Sequence, residues 1–389
     1  MKYSLILLLL ALSLSSCAQT AADSTAQLMA SVEQHRHDDP QLMNEIGQML
    51  VVGFRGTELS DTNHIVRDIK ELNIGGVILF EYDAPSGSRP RNITSPEQLT
   101  QLCRSLQGLS DNTLLISIDQ EGGKVNRLKE SYGFPRFASA QQTARYGIDS
   151  VRYYAQLTGK TLKSLGINLN FAPCVDVNIN PNCPVIGKIE RSFSAHPKQV
   201  ARYASCWIES QGRYGVISCL KHFPGHGSSL KDTHAGLADV TNTWEHKELD
   251  PYKKLIASGK VDMIMTTHVF NANLDSLYPA TLSRLTLTNL LRDSLHYNGI
   301  IITDDLAMGA MVKEYTYEEI LQRAINAGAD MLCLSNNGKE YNANIVPQTL
   351  EIIYQLVQEG KIERNRIREA ASRVASLKQK YSHYEEIYH

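Results

Sequence analysis

The chain of 389 residues is long enough for one large domain or two of ordinary size, each with material for a buried core. Lys and Arg total 39 against 41 Asp and Glu, and this formal net charge of −2 disfavours nucleic acid as a partner. A hydrophobic fraction of 42% and a charged fraction of 21% exclude a mainly disordered chain.

The first 17 residues have the pattern of an export signal. A basic residue precedes an apolar run over 5–12, which is too short to span a membrane, and small residues follow as far as Cys17. The ending LSSC resembles a bacterial lipobox, in which Cys17 would carry the lipid. We therefore predict a signal peptide over 1–16 and a lipidated polar spacer over 17–40. An ordinary signal peptide with a chance cysteine is the alternative.

These features predict an exported lipoprotein of the cell envelope that is bound to a membrane through its N-terminal lipid. No acidic run follows Cys17, and we expect the protein on the periplasmic face of the outer membrane.

Six further cysteines show no CxxC spacing typical of a metal or redox site. Four of them lie within helix or strand patterns and are expected to be buried thiols. Cys174 and Cys183 flank a loop rich in Pro and Asn, so the sequence leaves open whether they form a disulfide.

Short apolar segments alternate with amphipathic ones from residue 45 onward. Their nearly continuous apolar character is typical of parallel strands that are buried on both faces. The predicted strands are 48–54, 75–80, 114–119, 167–173, 215–221, 262–268, 299–304 and 329–335. The helical patterns include 61–72, 149–165 with Asp149 as its N-cap, 197–213 with Pro197 in its first turn, 341–359 and 364–380.

Eight strand–helix units predict an α/β fold, a (β/α)8 TIM barrel that forms a single domain over 41–389. An open doubly wound sheet is the alternative. It would require a Gly-rich dinucleotide turn after the first strand, and the sequence GFRG at 53–56 does not match one.

Ionisable residues follow five of the predicted strands, at the end where barrel enzymes place their active sites. Burying such groups is costly unless they are paired or used, so their clustering on one rim indicates an active site. They are Asp119, Glu121, Asp176, Lys221, His222, His268, Asp304 and Asp305.

The loop after the fifth strand reads KHFPGHG at 221–227 and continues to Asp232 and His234. A carboxylate two residues from an imidazole can hold it and raise its pKa, which suits a general acid near neutral pH. Without further context, a surface Asp and His with no functional relation would be the default interpretation.

Together these residues resemble glycoside hydrolase family 3, and within it the bacterial β-N-acetylglucosaminidases that act on peptidoglycan fragments. The motifs are DQEGGKVNRL at 119–128, NPNCPVIGKIERSF at 180–193, KHFPGHG at 221–227 with Asp-Thr-His at 232–234, and ITDDLAMGA at 302–310. The resemblance runs from about 41 to 380.

The resemblance implies a role for each matching residue. Asp304 would be the nucleophile and His234 the general acid/base, with Asp232 as its partner. The residues implied in sugar binding are Asp119, Arg127, Arg191, Lys221 and His222. Glu121, Asp176, His226 and His268 would be structural, and no metal or cofactor is implied.

Two features depart from the family pattern. Ser228 and Ser229 stand where the family usually has Asp-Thr, and the stretch from Cys183 to Glu190 is unusual. Only a helical tail follows the eighth strand, so no second domain is expected.

The activity implied is retaining, exo-acting hydrolysis of terminal N-acetyl-β-glucosaminides, with N-acetylglucosamine-containing glycan fragments as partners. Alternatives are a phosphorylase of the same glycosides and a sugar-binding lipoprotein without catalysis. A metal-dependent amidohydrolase is a third, although the HxH motif it requires after the first strand is missing. The sequence does not identify the natural aglycone or the oligomeric state.

Overall fold

The computed structural model describes residues 23–233 and 236–387, so Cys17 and His234 lie outside the described residues. Eight parallel strands form one sheet, and they are β1 Leu50–Gly53, β2 Gly76–Leu79, β3 Leu115–Ile118, β4 Leu169–Asn170, β5 Ile217–Phe223, β6 Met263–Thr266, β7 Ile300–Ile302 and β8 Leu332–Leu334. Their order in the sheet is β7-β6-β5-β4-β3-β2-β1-β8. A parallel bridge between Ile302 and Met331 joins the two ends of this order and closes the barrel. The predicted barrel is confirmed, with most strands shorter than their apolar segments.

Helices surround the barrel. The α-helices are α1 over 23–38, α2 Pro40–Gln48, α3 His64–Lys70, α4 Pro96–Gln107, α5 Ala140–Arg145, α6 Ile148–Leu165, α7 Pro197–Gly212, α8 Asp250–Ala257, α9 Gly309–Val312, α10 Tyr317–Ala327, α11 Ile345–Gln358 and α12 Arg364–Ile387. A π-helix, Leu285–Ser294, stands between β6 and β7. Short antiparallel strands, Gln120–Gly122 and Val125–Asn126, follow β3.

The barrel interior is filled from the amino ends of the strands. Inward-facing side chains of the strands form one buried cluster, and Val374 and Leu377 of α12 belong to it. Lys378 of α12 donates to Gln48 just before β1 at 2.8 Å, and Lys380 donates to Asp262 just before β6 at 2.6 Å, so the last helix closes the amino end of the barrel. This leaves the carboxyl ends of the strands as the open face, as in other barrels of this kind.

The prediction of a polar spacer over 17–40 is wrong for residues 23–38. Residues 23–38 form α1, in which Val32 is completely buried. Ser31 donates a hydrogen bond to Glu351 of α11 (3.0 Å), and the His35 ring stacks on Tyr354 at 3.9 Å between centroids. The polar composition concealed a narrow apolar stripe, and this segment packs against the barrel.

One smaller expectation is corrected, and one question that the sequence left open is answered. Helix α6 begins at Ile148 with Gly147 as its N-cap, so Asp149 lies in the first turn instead of capping it. Gly147 adopts a positive φ of 86°, a conformation that glycine reaches without steric cost. Cys174 and Cys183 are both free, buried thiols and do not form a disulfide.

Within the ranges that the structure covers, no helix combines the length and the apolar character needed to cross a membrane.

Candidate active site

A cavity of about 740 Å³ opens at the carboxyl ends of the strands. It brings together every predicted catalytic or sugar-binding residue that the structure describes. These are Asp119, Arg127, Arg191, Lys221, His222, Asp232 and Asp304. A cavity of about 810 Å³ on the outside of the barrel, beside α10 and α12, contains none of them. The chemistry of the side chains therefore selects the cavity at the strand ends.

Lys221 lies at the centre of the charged cluster, with its side chain only 3% exposed. Its Nζ is 2.7 Å from Asp119 Oδ1 and 2.7 Å from Glu121 Oε1. Burial would raise the pKa of Asp119, but Lys221 and Arg127 more than offset it and hold this pKa well below its ordinary value. Conversely, the two carboxylates overcome the effect of burial on Lys221 and raise its pKa. Both groups are charged at neutral pH.

Arg191 is held by a bidentate ion pair. Its Nε and Nη2 donate to the two oxygens of Glu121 at 2.9 and 2.8 Å, and its Nη1 donates to the carbonyl of Val185 at 2.9 Å. Burial works against the charge of Glu121, yet Arg191 and Lys221 lower the pKa of this carboxyl to about 2. Glu121 therefore orients two of the predicted sugar-binding residues at once.

His222 lies between Arg191 and Asp176. Arg191 Nη2 is 3.0 Å from His222 Nε2, and an arginine can only donate, so Nε2 accepts. The proton then lies on Nδ1, which donates to Asp176 at 2.6 Å. Asp176 also accepts a hydrogen bond from the backbone amide of His226 at 2.8 Å, so one buried carboxylate fixes both His222, a predicted sugar-binding residue, and the loop after it.

Cys174, Asp176 and His222 each offer a potential metal-ligand atom, and these atoms lie within 4.8 Å of one another. However, the Asp176 carboxylate is 2.6 Å from His222 and 3.1 Å from Cys174. Two ligands of a tetrahedral zinc ion would lie about 3.3 Å apart, given bonds of about 2 Å. The spacing is that of hydrogen bonds.

Asp304 and Asp305 follow β7 but differ in their surroundings. The Asp305 carboxylate accepts hydrogen bonds from Ser335 Oγ at 2.5 Å and from the Ser335 amide at 3.0 Å. The hydrogen bonds of the Asp304 carboxylate include one from the neighbouring amide of Asp305 at 2.8 Å. Burial raises the pKa of Asp305. Asp305 is thus committed to the β8 loop, which leaves Asp304 as the better candidate for a nucleophile.

The loop that carries Asp232 is fixed at its base. A Cβ at Gly227 would lie 1.8 Å from the carbonyl of Val177, so only glycine fits there. Ser229 Oγ donates to the carbonyl of Lys231 at 2.7 Å, and Asn180 donates to the carbonyl of Ser229 at 3.0 Å. The loop therefore folds back on itself at the serines that depart from the family pattern.

Sequence reasoning missed several residues that line the cavity, among them Phe80, Glu81, Tyr82, Met265 and Asn337. Glu81 carried a usable signal, because it is an ionisable residue just beyond an apolar strand. The others are apolar or uncharged, and nothing in the sequence set them apart from core or loop residues.

A closed barrel with paired carboxylates and cations in a cavity at its strand ends is the arrangement of a barrel enzyme with a polar substrate site. The model for the Glycosyl hydrolase family 3 N terminal domain matches residues 41–377. The chain belongs to this family and is a glycoside hydrolase.

Two similar proteins and one solved structure support this family assignment. A protein named Beta-hexosaminidase from Tolumonas auensis is 35% identical over 292 residues, covering 74% of this chain and 83% of the relative. The Beta-hexosaminidase of Haemophilus influenzae is 32% identical over 293 residues, covering 74% and 79%. A solved glycoside hydrolase family 3 beta-N-acetylglucosaminidase from Paenibacillus sp. str. FPU-7 is 35% identical with a TM-score of 0.78. The match covers 88% of this chain and 63% of that structure.

Proposed function

We propose that this protein is an exo-acting, retaining β-N-acetylhexosaminidase that hydrolyses terminal N-acetyl-β-glucosaminides, with peptidoglycan fragments as its natural substrates. The observation that carries the proposal is the cavity at the strand ends, which is lined by Asp304 together with Asp119, Lys221 and Arg191. Two relatives at 32–35% identity are named Beta-hexosaminidase, which supports an N-acetylhexosaminide as the substrate class.

The proposed reaction has two steps. Asp304 attacks the anomeric carbon and forms a glycosyl ester, while His234 donates a proton to the leaving oxygen. His234 then takes a proton from water, whose oxygen attacks the anomeric carbon and releases Asp304. Asp232 holds and charges the imidazole in this scheme.

The ion pairs explain how the site can bind hydroxyl groups tightly. Lys221 and Arg191 are already fixed by Asp119 and Glu121, so little side-chain freedom is lost when a sugar binds. Cations and carboxylates side by side offer both donors and acceptors, which a sugar hydroxyl requires because it is both.

The test is turnover of p-nitrophenyl N-acetyl-β-glucosaminide against the corresponding glucoside by the wild type and Asp304→Asn. We expect a preference for the N-acetylated sugar and no turnover by the variant. A 5-fluoro glycoside should label Asp304, as read by peptide mapping, and a label on Asp305 would refute the assignment. Release of a sugar phosphate in phosphate buffer would instead support a phosphorylase.

We also propose that the protein is exported and lipidated at Cys17. The support is the LSSC pattern and the apolar run before it.

A further inference from the structure

Glu81 is a buried carboxylate without a hydrogen-bonded partner at one of its oxygens. It follows β2, lines the cavity and is 4% exposed. Its Oε2 receives no hydrogen bond from any residue that the structure describes. Two cations lie nearby. Arg127 Nη1 is 3.8 Å from Oε2 and Lys129 Nζ is 3.6 Å from Oε1, and both distances exceed those of hydrogen bonds.

This loose arrangement contrasts with the rest of the site. Lys221 and Arg191 contact their carboxylates at 2.7 to 2.9 Å. Arg127 has a buried Nε without a partner and lies 3.3 Å from Asp119. Buried polar groups are normally satisfied, so unpaired atoms of opposite kind beside one cavity indicate that a polar ligand completes them.

The barrel topology indicates which part of the ligand lies there. In a closed ring of eight strands, β3 is four places from β7 and therefore opposite to it. The anomeric carbon must approach Asp304 after β7. The far edge of the sugar ring then points toward β2 and β3, where Glu81, Asp119 and Arg127 lie.

The backbone of Glu81 is fixed in place. Its carbonyl accepts a hydrogen bond from the amide of Arg91 at 3.2 Å. The Arg91 guanidinium is completely buried and donates to Asn337 Oδ1 at 2.7 Å and to the carbonyl of Asn336 at 3.0 Å. The β2 loop is thereby tied to the β8 loop, and Glu81 is preorganised before a ligand arrives.

We propose that Glu81 is a substrate-binding residue that accepts a hydrogen bond from a sugar hydroxyl on the ring edge opposite the anomeric carbon. It selects a terminal sugar whose hydroxyls on that edge are free and correctly placed. This inference rests on the proposed hexosaminidase activity and adds a residue to its specificity.

The test compares the wild type, Glu81→Gln and Glu81→Ala on aryl N-acetyl-β-glucosaminide and its 3-, 4- and 6-deoxy analogues. Removing the contacted hydroxyl should lower the wild-type kcat/KM roughly ten- to a hundred-fold, whereas Glu81→Ala should be insensitive to that same deletion. Glu81→Gln retains an oxygen of the same shape and should fall between the two. Glu45→Gln is the matched control, because Glu45 on α2 also has a buried, unpaired Oε2 but lies outside the cavity.

The results of this comparison distinguish a failure of the role proposed for Glu81 from a failure of the proposed hexosaminidase activity. If both variants lose the same factor on the parent sugar and on every deoxy analogue, Glu81 is only structural and this inference fails. It fails equally if both variants match the wild type on every substrate. If the wild type itself does not cleave the parent glycoside, the proposed function fails and this inference with it.

Discussion

Glu248 makes the stability of this protein dependent on pH in a direction that can be worked out. It lies beside the loop at Gly225 and Gly227 and is 1% exposed. Its Oε2 has no close hydrogen-bond partner among the described residues, and Oε1 accepts the amide of Glu245 at 3.3 Å. Burial raises the pKa of Glu248 from 4.5 to about 8, so the carboxyl is neutral in the folded protein at pH 7.

The unfolded chain releases this proton near its ordinary pKa, whereas the folded protein retains it up to about pH 8. The stabilising contribution is therefore fully present below pH 4.5 and is lost as the pH rises to 8. The slope is about 1.4 kcal/mol per pH unit, or ~5 kcal/mol over the whole range. In Glu248→Gln the side chain is neutral in both states. Between pH 4 and pH 7, the free energy of unfolding of the variant should therefore rise by ~3 kcal/mol relative to that of the wild type.

Urea unfolding followed by circular dichroism between pH 4 and 8.5 measures this difference. Glu58→Gln serves as the control, because Glu58 is exposed and its charge remains in water in both states. We expect the gap between Glu248→Gln and wild type to widen steadily with pH. A gap that stays constant from pH 5 to 8 would refute the assignment of a protonated Glu248.

Three further predictions concern the acid/base pair, the anchor and the β2 loop. His234→Ala should strongly reduce the release of a sugar leaving group but should largely spare formation of the glycosyl-enzyme from an aryl substrate, and azide should restore turnover. Asp232→Ala should show the same defects in a milder form. Equal losses on both substrates without an azide product would contradict this role. Cys17→Ala should abolish partitioning into detergent, and unchanged partitioning would exclude lipidation. Arg91→Ala should lower the free energy of unfolding by about 3 to 5 kcal/mol, since it leaves the buried Asp83 carboxylate with one cation fewer, as urea unfolding can show.

Sequence reasoning located all eight barrel strands because a strand buried on both faces must be apolar throughout. It overestimated the length of β4, which covers only Leu169–Asn170, since apolar residues continue into the loop beyond it. It missed α1 because one buried side chain in four turns, Val32, gives too weak a periodic signal.

The candidate active site was also predictable only in part. Motifs identified the charged residues at the strand ends, yet they did not give their pairing. Glu121 meets Arg191 across 70 positions of the chain, and Asp176 meets His222 across 46. Such partners are set by which strands are neighbours in the barrel. The sequence around each residue therefore contains little information about them.

Helix α1 changes how far a membrane anchor would let this enzyme reach. A free spacer from Cys17 to residue 40 could extend about 80 Å, at roughly 3.5 Å per residue. Because residues 23–38 are folded against α11, Cys17 is six residues from the folded part, and six residues span at most about 20 Å. With a lipid on Cys17, the barrel would be confined to a thin layer beside the bilayer. Glycan fragments would then have to diffuse to the enzyme.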